Sequence, residues 1–504
     1  MTNASDWLSQ RARVSPQKAA LIWGQQTWTY SQLNGLVGTM SRRLVTAGID
    51  ANSHVAVLMP NRVAYVCLIH ALARVGAVLV PLNVRLTPDE LGWQVEQAGC
   101  STIICAAGTE AQTTALATPG RRLISVDPPT RPGVEALDEF AEAEQSEQGR
   151  PLDLDAVQGI VFTSGTTGRP KGTMLTFGNH FWSATASAFR LGTDPADRWL
   201  VCMPLYHVGG IAIIFRCCLY GTTVVLQSGF DPTAVIQAID ANGLTLISVV
   251  PTMLARLLES YGRELASAQL RCILLGGAAA PESLLESSRA LDLPIATTYG
   301  LTEAASQVAT APAAAVRHKP GSVGKPLMFS RVRIVGENGQ LLPDGEIGEI
   351  VVRGPTVMRG YFKDAAATAK SLVNGELRTG DMGYIDVDGD LWVVQRRADL
   401  IITGGENVYP AEVERVLAQH PAVAEVCVVG IDDEAWGQQV TAAVVTHSTE
   451  TPVTAQELVD YSREHLAGYK CPRRLRFIDA LPRTASGKVI REQVKSLVTS
   501  WQVG

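Results

Sequence analysis

The chain predicts an α/β fold: a large N-terminal domain on mainly parallel sheets, followed by a smaller domain with a strand–helix pattern of its own. Three observations predict it. From about residue 50 onward, apolar runs of strand length alternate with amphipathic stretches of helix length, the pattern of parallel strands covered on both faces by helices. Between Gly321 and Tyr361 the texture changes to short strands and Gly/Pro turns, such as Pro343-Asp344-Gly345 and Gly354-Pro355, as in a β-subdomain. Beyond Arg396 a fresh α/β pattern begins, which places a domain boundary near 396–400.

The elements follow in order. Ile22-Trp23-Gly24 and Thr27-Trp28-Thr29-Tyr30 flank Gln25-Gln26 as a hairpin. Leu33, Leu36, Val37, Met40 and Leu44 recur at helical spacing, and that helix stops near Gly48. His54–Met59 reads as a strand, Arg62–Val75 as a helix, and Ala77–Pro81 as another strand. Thr87-Pro88-Asp89-Glu90 opens the next helix, with a cap, a first-turn proline and a glutamate three residues on. Thr102–Cys105 is a strand, and Pro119–Gln148, rich in Pro, Glu and Arg, reads mostly as a connecting surface excursion. Further strands are expected at Gly159–Phe162, Trp199–Met203, Thr223–Leu226, Thr245–Val249, Cys272–Leu275 and Ile295–Thr298. The last stretch gives strands at Leu400–Thr403, Val426–Val429, Val440–Val445 and Arg476–Ile478, with helices from Pro410 and over Ala455–Leu466.

Composition narrows the function. With 504 residues, 46% hydrophobic and 18% charged, the chain can bury a sizeable core and is not a disordered polymer. A formal charge of -6 without a long basic run argues against a nucleic-acid surface. The nine cysteines show no C-x-x-C or Cys/His cluster, which fits reduced thiols in a cytoplasm better than disulfides or zinc. Asp6, Arg11, Arg13 and Lys18 interrupt the N-terminal stretch and argue against an export signal, and no run of 18 apolar residues spans a membrane.

The stretch that carries chemistry is Ile160-Val161-Phe162 followed by Thr163-Ser164-Gly165-Thr166-Thr167-Gly168-Arg169-Pro170-Lys171-Gly172. A buried strand running into hydroxyls, glycines and a lysine can offer N–H groups, hydroxyls and one cation to phosphate oxygens. The bland alternative is a surface linker, but linkers seldom follow a buried strand. Other junctions fall at the carboxyl ends of strands, where α/β sheets place ligands: Leu275-Gly276-Gly277-Ala278, Thr298-Tyr299-Gly300-Leu301-Thr302-Glu303 and Arg378-Thr379-Gly380-Asp381. The small domain adds Thr403-Gly404-Gly405-Glu406-Asn407 and Pro482-Arg483-Thr484-Ala485-Ser486-Gly487-Lys488. Taken singly, Tyr299-Gly300 reads equally as a turn, Asp381 as a cap and Lys488 as a surface charge. No G-x-x-x-x-G-K-[ST], G-x-G-x-x-G or G-x-S-x-G occurs.

In this combination and order the junctions resemble the adenylate-forming superfamily of acyl-CoA synthetases, peptide-synthetase adenylation domains and luciferases, from Trp28-Thr29-Tyr30-Ser31 to Lys488. The resemblance implies a large N-terminal domain, 1–397, of two sheets plus a β-subdomain at about 321–395, and a small mobile α+β C-terminal domain, 398–504. It assigns Thr163, Ser164, Gly165, Thr166, Thr167, Gly168 and Lys171 to the β- and γ-phosphates of ATP. Glu303 would ligate Mg²⁺ and Thr302 contact the α-phosphate. Tyr299 would stack on adenine, with Gly300 also at the nucleotide and Gly276, Gly277 and Ala278 as the nearby wall. Asp381 would accept from both ribose hydroxyls, with Arg396 assisting. Lys488 would bridge the substrate carboxylate and the α-phosphate, because an attacking carboxylate and a polyanion need a placed cation between them. Rotation of the small domain about a hinge at Ala398, where relatives carry a polar residue, would exchange Lys488 for the Gly404-Gly405 loop, beside which a coenzyme A thiol would enter.

Only sixteen residues follow Lys488, so free coenzyme A is a more natural acceptor than a fused carrier domain. Thr176-Phe177-Gly178-Asn179-His180, Asp197-Arg198-Trp199-Leu200, Met203-Pro204-Leu205-Tyr206-His207-Val208-Gly209-Gly210 and Ala305-Ser306-Gln307 resemble the o-succinylbenzoate–CoA ligase subfamily of menaquinone biosynthesis. His207 either lines the acyl site with Gly209, donating to a substrate carboxylate, or is a packed histidine gating it. Ser306 and Gln307 either face the acid or cap the following segment, and Asn179 and His180 read as helix surface. A medium-chain or aryl acid is the runner-up substrate, and a nucleotide-binding regulator without catalysis is the non-enzymatic alternative. Dimers or tetramers are common among such enzymes, so a homo-oligomer is compatible with the resemblance.

Overall fold

A computed structural model describes residues 6–51, 53–143, 152–163, 170–267, 269–395, 400–447, 453–483 and 489–499. The chain separates into two compact units. The larger comprises Met1–Val84, Val95–Phe162 and Gly172–Val394, and the smaller Arg85–Gln94, Thr163–Lys171 and Gln395–Gly504. Two internal stretches therefore group with the C-terminal residues instead of with their chain neighbours.

Two large sheets form the body of the larger unit. One has eight strands in the order Gly360–Tyr361, Lys171–Thr176, Val157–Thr163, Val78–Pro81, His54–Leu58, Thr102–Cys105, Arg122–Ser125 and Glu135–Ala136. The other has nine: Lys325–Pro326, Ser306–Ala311, Ile295–Leu301, Cys272–Leu275, Leu246–Val249, Arg198–Val201, Thr223–Leu226, Ala19–Trp23 and Gln26–Thr29. Pairing is parallel through the middle of both sheets; it is antiparallel at both ends of the nine-stranded sheet, including the expected hairpin of Ala19–Trp23 with Gln26–Thr29, and at the Gly360–Tyr361 edge of the eight-stranded one, whose Glu135–Ala136 edge stays parallel.

The helices Val63–Val75 and Val208–Tyr220 belong to one core with Val55, Val57 and Leu79 of the first sheet and Leu21, Val201 and Leu246 of the second. Both helices are apolar nearly all round, as helices covered on every side must be: Tyr65–Leu72 and Gly210–Cys218 are buried without interruption. Each buried Val, Leu or Ile contributes roughly 1.5–3 kcal/mol. The first helix ends at Gly76 with φ 86 and the second at Gly221 with φ 73, the left-handed stop that glycine adopts without strain.

A smaller antiparallel sheet, of Arg331–Val335, Gly348–Arg353, Glu376–Ile385, Leu372–Val373 and Leu391–Gln395, realises the expected β-subdomain. Its apolar face (Ile334, Ile350, Val352, Leu377) packs with Val161, Leu175, Tyr299 and Tyr361. That packing brings the Asp381 strand against the Tyr299 strand.

The smaller unit is a sheet of Glu406–Val408, Ile401–Thr403, Gly437–Thr446, Val423–Asp433 and Arg474–Phe477, with helices Pro410–Leu417, Ala455–His465 and Arg491–Thr499. At its centre Lys470, 3% exposed, donates to Glu90 at 2.7 Å and Glu412 at 2.8 Å. Glu90 also accepts the Thr87 N–H at 2.8 Å, the cap its sequence predicts. Burial pulls the Lys470 pKa down, but the two carboxylates outweigh it and hold it above its ordinary value.

One expectation fails. Pro119–Gln148 is not simply a surface excursion, because Arg122–Ser125 enters the eight-stranded sheet beside Thr102–Cys105 and buries Leu123, Ile124 and Ser125. A four-residue strand with two apolar residues carries too little periodicity to stand out among charged neighbours.

Candidate active site

Part of the site expected for the nucleotide lies at the carboxyl ends of adjacent parallel strands. Cys272–Leu275 pairs with Ile295–Leu301 in register Leu275↔Thr297, which sets Gly276-Gly277-Ala278 beside Thr298-Tyr299. Glycine is required in this wall: a Cβ on Gly276 would lie 2.7 Å from Thr298 Cγ2, and Gly277 has φ 84. Tyr299 is 1% exposed, and its hydroxyl donates to Asp381 Oδ2 at 2.6 Å. The Asp381 N–H in turn donates to Thr379 Oγ1 at 3.1 Å, and that hydroxyl to the Ile350 carbonyl at 2.6 Å. Asp381, 7% exposed, is thus a carboxylate fixed from both its side chain and its backbone.

Thr302–Ala304 forms a single 3₁₀ turn that carries Thr302 and Glu303. Glu303 is 5% exposed, its Oε1 accepts the Tyr361 hydroxyl at 2.8 Å, and its carbonyl accepts the Met358 N–H at 2.8 Å. Tyr361 pairs with Thr173 of the strand that leaves the phosphate loop, and Phe362 N–H donates to Gly172 O at 2.8 Å. A buried carboxylate oriented by a tyrosine suits a Mg²⁺ ion, which takes one or two protein carboxylates and completes its shell with substrate phosphates and water. Among the described residues the one cluster of three acids with metal-like spacing is Asp386, Asp388 and Asp390. Lys319 Nζ sits among them at 2.7, 2.6 and 2.9 Å, so a cation from the chain itself fills that cluster.

The residues expected at the acid lie at the start of the helix Val208–Tyr220 and in the strand Ser306–Ala311 that follows the 3₁₀ turn. His207, half-buried, precedes the first turn of Val208–Tyr220, with its ring 4.7 Å from that of Tyr206. Gly209 and Gly210 follow, and a Cβ on Gly210 would come within 2.5 Å of the Pro204 carbonyl. Asn61 clamps the approach to this turn: its Nδ2 donates to Met203 O at 2.9 Å and its Oδ1 accepts Leu205 N–H at 2.8 Å. Gln307 spends its amide on Thr310 at 3.0 Å and Thr298 at 3.4 Å, while its buried Oε1 has no partner.

Ser306 meets a residue that the sequence reading passed over. Arg216 Nη2 lies 3.4 Å from Ser306 Oγ. Arg216 is 2% exposed, stacks over Trp199 at 5.6 Å, and its Nε has no hydrogen-bond partner. No carboxylate pairs with it among the described residues, and burial pulls its pKa below the ordinary arginine value. Beside it His180, 3% exposed, has an unpartnered Nε2, and burial, then Arg216, pushes its pKa down to about 3. Asn179 is buried too, donating to the carbonyls of Pro355 and Val357 at 2.8 and 2.9 Å. Neither is helix surface, because the helix Phe177–Leu191 turns that face into the protein.

In the smaller unit, Gly404 and Gly405 form a two-residue turn between Ile401–Thr403 and Glu406–Val408, at φ 59 and 83. Glycine fits both positions of such a turn. Trp436 underlies it, accepting the Gly404 N–H at 2.8 Å, and Arg473 lies 3.9 Å over the Trp436 ring. Glu406 pairs with Arg85 at 3.1 Å. The loop expected to hold phosphates is described only at Thr163, which ends its strand, and at Pro170 and Lys171, where the next begins. Ser164, Gly165, Thr166, Thr167, Gly168, Arg396, Ala398 and Lys488 lie outside the described residues.

Comparison with known proteins bears on this arrangement. The model of the AMP-binding enzyme family matches residues 8–362, and that of the AMP-binding enzyme C-terminal domain matches 412–488. A 2-succinylbenzoate–CoA ligase of Bacillus cereus is 41% identical over 498 residues, covering 99% of each chain. A double mutant of o-succinylbenzoate CoA synthetase from Bacillus subtilis, bound to the product analogue OSB-NCoA, superposes with a TM-score of 0.90 at 40% identity, covering 98% of each chain. The same enzyme in complex with ATP and magnesium ion gives 0.74 at 40% identity, covering 98% of this chain and 100% of the other. The chain belongs to the AMP-binding enzyme family, and its fold is the adenylate-forming fold, with a separate small C-terminal domain. No helix among the described residues is long and apolar enough to cross a membrane.

Proposed function

We propose that this chain is an AMP-forming acid–CoA ligase that converts 2-succinylbenzoate, ATP and coenzyme A into 2-succinylbenzoyl-CoA, AMP and diphosphate, a step of menaquinone biosynthesis. The full-length likeness to 2-succinylbenzoate–CoA ligases supports the reaction. Arg216 is the observation that carries the choice of acid. 2-Succinylbenzoate has two carboxylates; one is activated and the other stays free. A buried guanidinium without a carboxylate partner, beside the Ser306 hydroxyl, is a receptor for that free carboxylate. A fatty or simple aryl acid would leave the buried charge unpaired, at a cost of several kcal/mol.

The first step is attack of the substrate carboxylate oxygen on the α-phosphorus of ATP with departure of diphosphate. Asp381, held by Tyr299, accepts the ribose hydroxyls, and the Gly276–Ala278 wall admits the adenine. Thr163, Lys171 and the loop between them hold the departing phosphates. Glu303, oriented by Tyr361, would hold Mg²⁺, which offsets phosphate charge. Lys488 bridges the reacting carboxylate and the α-phosphate, and positioning supplies most of the remaining acceleration. In the second step the coenzyme A sulfur attacks the acyl carbon, AMP leaves with the electron pair, and the thiol proton passes to solvent. The small domain turns between the steps, bringing the Gly404-Gly405 turn to the thiol path.

We place the enzyme in the cytoplasm, in keeping with nine free and buried thiols, and as a homo-oligomer that light scattering would size. Acid-dependent ATP–diphosphate exchange tests the function. Exchange with 2-succinylbenzoate, exceeding that with benzoate and octanoate, and AMP release on adding coenzyme A are expected. No exchange with any acid would favour a nucleotide-binding regulator.

A further inference from the structure

Ala305 and Ser306, at φ 50 and 100, are the one consecutive pair of non-glycine residues with positive φ among the described residues. Neither residue type gains local compensation there, so surrounding structure must impose the conformation. Three contacts do so. The Ala305 N–H closes the 3₁₀ turn onto Thr302 O at 3.0 Å. The Ser306 carbonyl lies over Gly300, where a Cβ would come within 1.8 Å of it. The third comes from a different element: Ser183 Oγ, on the helix Phe177–Leu191, donates to the Ala305 carbonyl at 2.7 Å. Ser183 and Ala305 are 2% and 0% exposed, so water does not substitute for that donor.

The carbonyl that Ser183 holds belongs to the peptide joining Ala305 to Ser306. Its orientation sets the φ of Ser306, and with it the direction of the hydroxyl that lies 3.4 Å from Arg216. We propose that Ser183 is a positioning residue for acid specificity: by pinning this peptide it aims Ser306 at the site where Arg216 receives the free carboxylate. The inference rests on the reading of Arg216 and Ser306 given above. Glu303, within the 3₁₀ turn, is held separately through Tyr361 and Met358, so the effect is confined to the acid.

The test compares 2-succinylbenzoate with 4-oxo-4-phenylbutanoate, the same molecule without the ring carboxylate, in acid-dependent ATP–diphosphate exchange. Ser183→Ala should lower kcat/KM for 2-succinylbenzoate on the order of 10- to 100-fold, leaving 4-oxo-4-phenylbutanoate and the KM for ATP unchanged. Ser183→Cys, close in shape but a poor donor, should behave alike and keeps the test valid where the alanine variant folds poorly. Ser183→Ala should add little to Ser306→Ala, since one acts through the other. Equal losses for both acids, a raised KM for ATP, or additive losses in the double variant would each overturn the proposal. A wild-type enzyme that does not prefer 2-succinylbenzoate would instead overturn the substrate reading itself.

Discussion

Tyr299 and Asp381, from two different sheets, share a 2.6 Å hydrogen bond in which the phenol donates and the carboxylate accepts, with both side chains buried. The bond leaves Asp381 Oδ1 as the atom that Tyr299 does not engage. Asp381→Ala should raise the KM for ATP on the order of 10- to 100-fold, the worth of hydrogen bonds to a charged group. Tyr299→Phe should raise it less, by about 3- to 10-fold, because the carboxylate stays but loses one orienting donor. Exchange rates against ATP concentration measure both, and an unchanged KM in Asp381→Ala would remove Asp381 from the nucleotide site.

Arg216→Met should separate stability from function. A buried charge without a partner costs folding free energy, and replacing it with an apolar side chain of similar length is often neutral or stabilising. The midpoint of thermal unfolding should stay level or rise. The KM for 2-succinylbenzoate should rise on the order of 100-fold, since a charge-assisted pair contributes about 1.5–3 kcal/mol. A lowered midpoint with an unchanged KM would make Arg216 a structural residue.

Lys488→Ala should abolish diphosphate exchange yet largely spare thioester formation from supplied acyl-adenylate. Single-turnover measurement of each half-reaction checks this. Equal loss of both would refute a lysine that serves only the first step.

Stability should fall with acid through two buried histidines. Burial pushes His70 down to about 4 and His180 down to about 3. Above the unfolded value near 6.5 both states are neutral and stability is full. As pH falls from there toward 4, the unfolded chain takes up protons that the folded one refuses, costing about 1.4 kcal/mol per pH unit for each histidine. Burial raises Glu412, so that group protonates first in the folded state and opposes the trend. Urea unfolding of His70→Gln between pH 6.5 and 4 should show a shallower loss, by about one proton, than the parent chain. An identical slope would contradict the assignment.

Much of this site is visible in the sequence because its parts sit where strands end, and glycines and acids at strand ends stand out against apolar runs. Gly276-Gly277 and Glu303 have that signature; Tyr299 and Asp381 instead lie within the strands Ile295–Leu301 and Glu376–Ile385, contrary to the expectation for Asp381, and the structure brings those two into contact. Arg216 lacks it. It interrupts Ile211–Cys218, a run whose helix could have turned a lone arginine toward solvent; only the covering of that helix on all sides reveals a buried cation. The left-handed pair Ala305-Ser306 is invisible for a related reason. Neither residue type marks positive φ, and one of the contacts that hold it comes from Ser183, over a hundred positions away in sequence. Arg122–Ser125 was hidden by its shortness, since its partner strand supplies the reason for it to be a strand.

We propose that Arg216 and Ser306 select a diacid for adenylation at the site of Asp381 and Glu303. The most direct measurement is acid-dependent ATP–diphosphate exchange with 2-succinylbenzoate against 4-oxo-4-phenylbutanoate, in the parent chain and in Arg216→Met. A preference for 2-succinylbenzoate of at least about 100-fold is expected in the parent, collapsing toward parity in the variant. A parent enzyme that exchanges equally with both acids, or a variant that keeps the full preference, would contradict it.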